Sequence, residues 1–163
     1  MTPCMGDSED SLEAFVAANE PRIEDDLYNS SKSLMGQTIS QWSERVHALN
    51  IQKGFHDNPS GAGALTINPN GRTVWTMLGN IMCEVAEAWE VVREGTFDPS
   101  IHITYETDKY GNAKPEGIGP ELADIFIRTM DTAQALGIDL EKMVAIKHQY
   151  NLGRTSKHGG KRV

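Results

Sequence analysis

From residue 73 to residue 94 apolar side chains recur at every third or fourth position, for about six turns of helix, until Gly95 stops the run. That period is incompatible with the strict alternation of a half-buried strand, and acids interrupt it too often for a bilayer span. The same punctuation marks out the rest of the chain. Ile39, Trp42, Val46 and Leu49 share helical spacing after Thr38, with Gly54 as the stop. Pro120, favoured at a first helical position, opens a third helix that reaches Leu136 before Gly137. Asp139 is the expected N-cap of a fourth, which runs to about Leu152. Between the second and third helices, "HITYETDKYGNAKPEG" places β-formers on both sides of a Tyr-Gly-Asn turn signal and predicts a small hairpin. The fold class is therefore all-α: a bundle of four main helices with one small β-hairpin insertion. Residues 1–35 read as an acidic appendage, with an amphipathic stretch over 12–28 interrupted by Pro21; residues 36–163 read as the helical domain with a basic tail.

At 163 residues the chain suits one domain with a real core. Its net charge of −8 is unevenly spread. Residues 1–31 hold eight acids against Arg22, whereas residues 147–163 hold five cations and no acid. A basic end on an acidic chain points to a local anionic ligand and away from a general nucleic-acid surface. The two cysteines, Cys4 and Cys83, make neither a disulfide framework nor a zinc spacing, and no local base activates them. The opening "MTPCMGDSEDSLEAF" lacks the basic-then-apolar order of a signal peptide and no apolar run is long enough to span a membrane, so a cytoplasmic protein without membrane partners is expected.

Placed on a helical wheel, Val74, Leu78, Ile81, Val85, Trp89 and Val92 form one expected buried stripe, widened by Trp75, Met82 and Ala86. Glu84 and Glu87 fall together at its margin beside Met77, Ala88 and Val91, while Glu90 and Glu94 project toward solvent. The third helix repeats the arrangement: Leu122, Ile125, Phe126, Thr129, Ala133 and Leu136 make the apolar face, and Glu121, Asp124, Arg128 and Asp131 a charged strip along its edge. One such pair would be solvated acids on an amphipathic helix. Two pairs at core margins of separate helices would repel each other unless a cation compensates. Oxygen ligands without histidine suit Mg2+, or Mn2+, and the absence of a Glu-x-x-His motif excludes the di-iron bundle pattern. On the fourth helix, Met143, Lys147, Tyr150 and Arg154 follow one face with Asn151 adjoining, and "KHGGK" adds His158 and Lys161 around a glycine pair. Metal-binding carboxylates followed by a cation strip imply a metal-bridged polyphosphate.

These segments, "ISQWSERVHALNIQKGFHD", "EVAE", "KPEGIGPELADIFIRTMD" and "KHQYNLGRTSKHGGK", together resemble the MazG-like branch of the all-α nucleoside triphosphate pyrophosphohydrolases over roughly residues 39–161. The resemblance implies a homodimer, or a tetramer of dimers, with Mg2+ held by Glu84, Glu87, Glu121 and Asp124 and a nucleoside triphosphate hydrolysed to the monophosphate and pyrophosphate. It gives the phosphate-contacting role to Lys147, Asn151 and Arg154, with Tyr150 beside them. Glu84 or Glu87 is the expected catalytic carboxylate that orients or deprotonates the attacking water. Trp42, Lys53, Phe55 and His56 are candidates for approach to base or sugar, though a core role is the stronger reading of Trp42. The spacer over 88–120 is longer than in compact members and coincides with the hairpin. A non-catalytic Mg2+–nucleotide or partner-binding module is the alternative of the same shape.

Overall fold

The computed structural model describes residues 36–57, 73–95 and 97–154, with the single residue Asn29. The expected amphipathic stretch over 12–28, Cys4 and the tail residues His158 and Lys161 lie outside them. Among the described residues the chain forms four helices and one two-stranded hairpin, in the order α1 (Ile39–Gln52), α2 (Val74–Arg93), β1 (Thr104–Thr107), β2 (Ala113–Glu116), α3 (Ile118–Ala135) and α4 (Leu140–Leu152).

Local chemistry sets these limits. Thr38 caps α1 with a reciprocal box: its Oγ1 accepts from Gln41 N at 3.2 Å, and Gln41 Oε1 accepts from Thr38 N at 2.9 Å. Asp139 Oδ1 accepts from Lys142 N at 2.9 Å and opens α4. The hairpin is antiparallel, with Tyr105 opposite Pro115 and Glu106 opposite Lys114. Its turn is held by Asp108 Oδ1, which accepts from the backbone N–H of both Tyr110 and Asn112 at 2.8 Å, and Gly111 supplies the positive φ of 82°. α3 starts at Ile118, two residues before the expected Pro120, because Gly119 N donates to the His102 carbonyl at 2.9 Å. The segment leading into β1 thus caps the helix, and Pro120 occupies a first-turn position whose N–H is not needed.

The chain divides into two compact units, 1–36 with 81–126 and 37–80 with 127–163. The first holds the hairpin, the C-terminal part of α2 and the N-terminal part of α3. In the second, α1 meets α4, and Ser40 N donates to Glu141 Oε2 at 3.2 Å.

The orientation of α2 corrects the wheel. Its buried positions are Met77, Glu84 and Ala88, whereas Trp75 (71 % exposed), Leu78, Met82, Val85, Ala86, Trp89 (60 %) and Val92 face outward, with Val74 and Ile81 half-buried. Glu84 therefore lies on the inward face with Met77 and Ala88, while Glu87 stays exposed. Helix α3 behaves alike: Glu121, Met130, Asp131, Thr132 and Ala133 are buried, while Leu122, Phe126 and Leu136 are exposed. Positions 75, 78, 82, 85, 89 and 92 alternate steps of three and four, so these exposed apolar side chains form one stripe along α2. No large side chain among the described residues is fully buried. No described helix is long and apolar enough to cross a membrane.

Candidate metal centre

Glu84 and Glu87 stand one turn apart on α2, and Glu121 stands in the first turn of α3. The fold brings one oxygen from each of the three to within 4.8 Å of one another, with Glu84 and Glu121 buried and Glu87 exposed. Asp124, the expected fourth member, is exposed and outside this trio, yet its charge still acts on Glu121.

Glu121 reports the state of the site. Its place in a helix N-terminal turn favours the carboxylate by roughly 0.3–1 kcal/mol. Burial opposes this, followed by the charges of Glu87, Asp124, Glu116 and Glu84, and together they raise its pKa above the ordinary carboxylate value. Glu121 Oε2 is buried with no hydrogen-bond partner among the described residues, a situation that costs about 1–3 kcal/mol even for a neutral group. The dipole therefore loses. The hairpin brings a countercharge in Lys114, but its ammonium bonds Glu116, which with burial opposing and the fields of Glu116, Glu121 and Glu106 holds the Lys114 pKa up. A buried carboxylate with one unpartnered oxygen, beside two further carboxylates, fits a hard divalent cation bound through oxygen.

Local geometry explains how Glu121 is aimed. A Cβ on Gly119 would lie 2.6 Å from the His102 carbonyl oxygen, so the approach that caps α3 requires glycine there. Two residues later the chain delivers Glu121.

The other expected residues fall elsewhere. On α4, Lys147 Nζ and Arg154 Cζ lie 5.3 and 5.8 Å from the Tyr150 ring centroid, an exposed cation–aromatic cluster beside exposed Asn151. Trp42 is half-buried, and Lys53 is exposed at the end of α1. Phe55 is exposed with Arg128 Cζ 5.6 Å from its ring. His56 is buried and bonds Asp131, as does His47. The sequence pattern shows Asp131 only as a member of a charged strip and gives no signal for His47, since residues 47, 56 and 131 share no helical face. Nor does it show that Lys114 and Glu116 would stand beside Glu121. Compared with protein-family models, with curated proteins and with solved structures, the chain matches none.

Proposed function

We propose that the chain is a Mg2+-dependent nucleoside triphosphate pyrophosphohydrolase of MazG-like type. The observation that carries this reading is the trio of Glu84, Glu87 and Glu121, which each bring one oxygen within 4.8 Å of the others, while Glu121 Oε2 has no hydrogen-bond partner among the described residues. Glu84, Glu87 and Glu121, with Asp124 beside them, would hold Mg2+ (or Mn2+), which supplies Lewis acidity at phosphate oxygens and lowers the pKa of bound water. The chain's own residues do the rest. Glu87, the exposed member, or Glu84 takes the proton from the water as its oxygen bonds to the α-phosphorus and the α–β bridging bond breaks. Lys147 and Arg154 are the proposed countercharges for the departing pyrophosphate, with Tyr150, Asn151, His158 and Lys161 completing the phosphate-contacting set. Trp42, Lys53 and Phe55 remain the candidates for base or sugar contact, whereas His56 is buried against Asp131.

A homo-oligomer belongs to the same proposal. The outward seam of Trp75, Leu78, Met82, Val85, Trp89 and Val92, together with the exposure of Leu122 and Phe126 on α3, supports association with a second copy.

Pyrophosphate release assayed with Mg2+ across the common ribo- and deoxyribonucleoside triphosphates tests the activity. Release from at least one of them, lost in Glu84→Gln and Glu87→Gln, is the expected result. Tight nucleotide binding without release from any would identify a binding module instead, and full activity in Glu84→Gln would remove the metal assignment.

A further inference from the structure

A second cluster, in the unit that holds α1 and α4, has different donor chemistry. His47 comes from α1, His56 from the turn after it and Asp131 from α3, so three separate segments meet at one point. Asp131 Oδ1 accepts from His47 Nδ1 at 2.8 Å and from His56 Nε2 at 2.8 Å, and its Oδ2 lies 3.0 Å from the same His56 nitrogen. The two imidazole centroids are 4.7 Å apart with ring planes at 78°, which aims both nitrogens at one carboxylate.

The charge balance of this cluster is unusual. The Asp131 side chain is 3 % exposed, and its ion-pair partners among the described residues are imidazoles, which carry charge only when protonated. A buried carboxylate ordinarily requires a permanent cation beside it, because leaving the charge uncompensated costs several kcal/mol. Here the two shared protons supply the partners.

We propose that His47, His56 and Asp131 form a metal site for a borderline divalent ion of the Zn2+ class, separate from the carboxylate trio. Two nitrogens and one oxygen suit Zn2+ and its neighbours, whereas Mg2+ and Ca2+ prefer oxygen alone. A tetrahedral ion with bonds of about 2.0–2.1 Å keeps its ligand atoms roughly 3.3 Å apart. Metal entry therefore releases the shared protons and widens the existing contacts by about half an ångström, within the reach of side-chain rotation. His47, 19 % exposed against 7 % for His56, marks the open side where water completes the coordination. The ion would tie α1, its exit turn and α3 together.

Zn2+ titrated calorimetrically into chelator-treated full-length protein, with Co2+ absorption as a second readout, tests the site. With excess Mg2+ present to occupy the carboxylate trio, the expected result is one tightly bound Zn2+ per chain and Co2+ visible bands of a site with nitrogen ligands. His47→Gln, which keeps an amide donor toward Asp131, and His56→Gln should each weaken Zn2+ by at least the ~10–100-fold that loss of an outer-shell partner costs. Glu87→Gln and His158→Gln should leave that affinity unchanged. Imidazole nitrogen NMR of the unaltered chain keeps the test valid if a variant fails to fold: Zn2+ should move the resonances of His47 and His56 and leave those of His102 and His148 in place. No binding by the folded chain, unaltered affinity in both histidine variants, or shifts confined to the other histidines would overturn the proposal.

Discussion

Replacing Glu121 by glutamine changes one charge and almost no volume, so its effect isolates the electrostatic state of the carboxylate trio. Ionised Glu121 buries an unpartnered Oε2 and feels Glu87, Asp124, Glu116 and Glu84. Its folded-state pKa is raised, so the folded chain binds this proton more readily than the unfolded chain. The associated stability is present in full below the unfolded value and is lost as pH rises through the folded one. In Glu121→Gln that loss cannot occur, and the new amide donates to neighbouring carboxylates. Removing a buried unsatisfied group predicts a gain of about 1–2 kcal/mol without metal at neutral pH, which is roughly 2–8 °C in Tm at about 2–4 °C per kcal/mol for a chain of this size. Thermal melts followed by circular dichroism, in chelator, from about pH 4 to about pH 8, measure it against the ordinary carboxylate range. The advantage of the variant should shrink toward zero at the acid end. Mg2+ should then reverse the order at neutral pH, because a ligand stabilises in proportion to ln(1 + [L]/Kd) and the variant has lost a ligand oxygen. A variant less stable than the parent in chelator at neutral pH, or one that gains as much from Mg2+, would refute this account of the trio.

Gly119→Ala should lower Tm by the equivalent of about 1–3 kcal/mol, since the new Cβ meets a backbone oxygen 2.6 Å away that cannot rotate aside; Mg2+ affinity should fall with it because Glu121 is two residues on. Gly79→Ala, in the interior of α2 with no atom within 4 Å of the added methyl, should raise stability by about 0.5–1 kcal/mol in the same melt. Met82→Lys combined with Trp89→Lys should convert an oligomer to monomer in light scattering coupled to size exclusion, with helix content preserved. Lys147→Ala and Arg154→Ala should each reduce kcat/KM for pyrophosphate release by about tenfold to a hundredfold, in line with one charge-assisted phosphate bond of about 1.5–3 kcal/mol.

Elements whose ends carry strong local chemistry were legible before any coordinates. Asp139 caps α4 as its side chain predicts, α1 begins directly after Thr38, and the Tyr-Gly-Asn signal falls in the hairpin turn. Which way a helix faces was not. The wheel ranks positions by hydrophobicity and assigns the largest apolar stripe to the interior, a rule that presumes all burial comes from one copy of the chain. Met77 and Ala88 turn inward with Glu84, while Trp75 and Trp89 turn out. Spacing does reveal that Glu84 and Glu87 share one side of α2, and the fold brings Glu121 within 4.8 Å of both. The histidine cluster was illegible because it joins residues more than seventy positions apart that no local period relates, and Lys114 because strand register decides its neighbours.

The orientation of α2 also links the two parts of the proposed function. Fully burying a Leu, Val or Met side chain is worth about 1.5–3 kcal/mol. An isolated chain that leaves Leu78, Met82, Val85 and Val92 about half exposed or more while burying Glu84 therefore forgoes roughly twice that amount and accepts a desolvated carboxylate as well. Such an orientation is stable when both faces find partners, a cation for the inward acids and a second copy for the outward seam. Binding and association should then be coupled, and coupling between two equilibria is reciprocal. On the proposed reading, Mg2+ would relieve the repulsion between Glu84, Glu87 and Glu121, and the seam of α2 would associate more readily as a result. Sedimentation equilibrium with Mg2+ and with chelator should show tighter association with the ion, by a few-fold to about a hundredfold for the 1–3 kcal/mol typical of coupled sites. Glu121→Gln should lose most of that difference while still associating. An association constant indifferent to Mg2+ would mean that the two faces act separately and that the connections of α2, rather than its ligands, set which face turns inward.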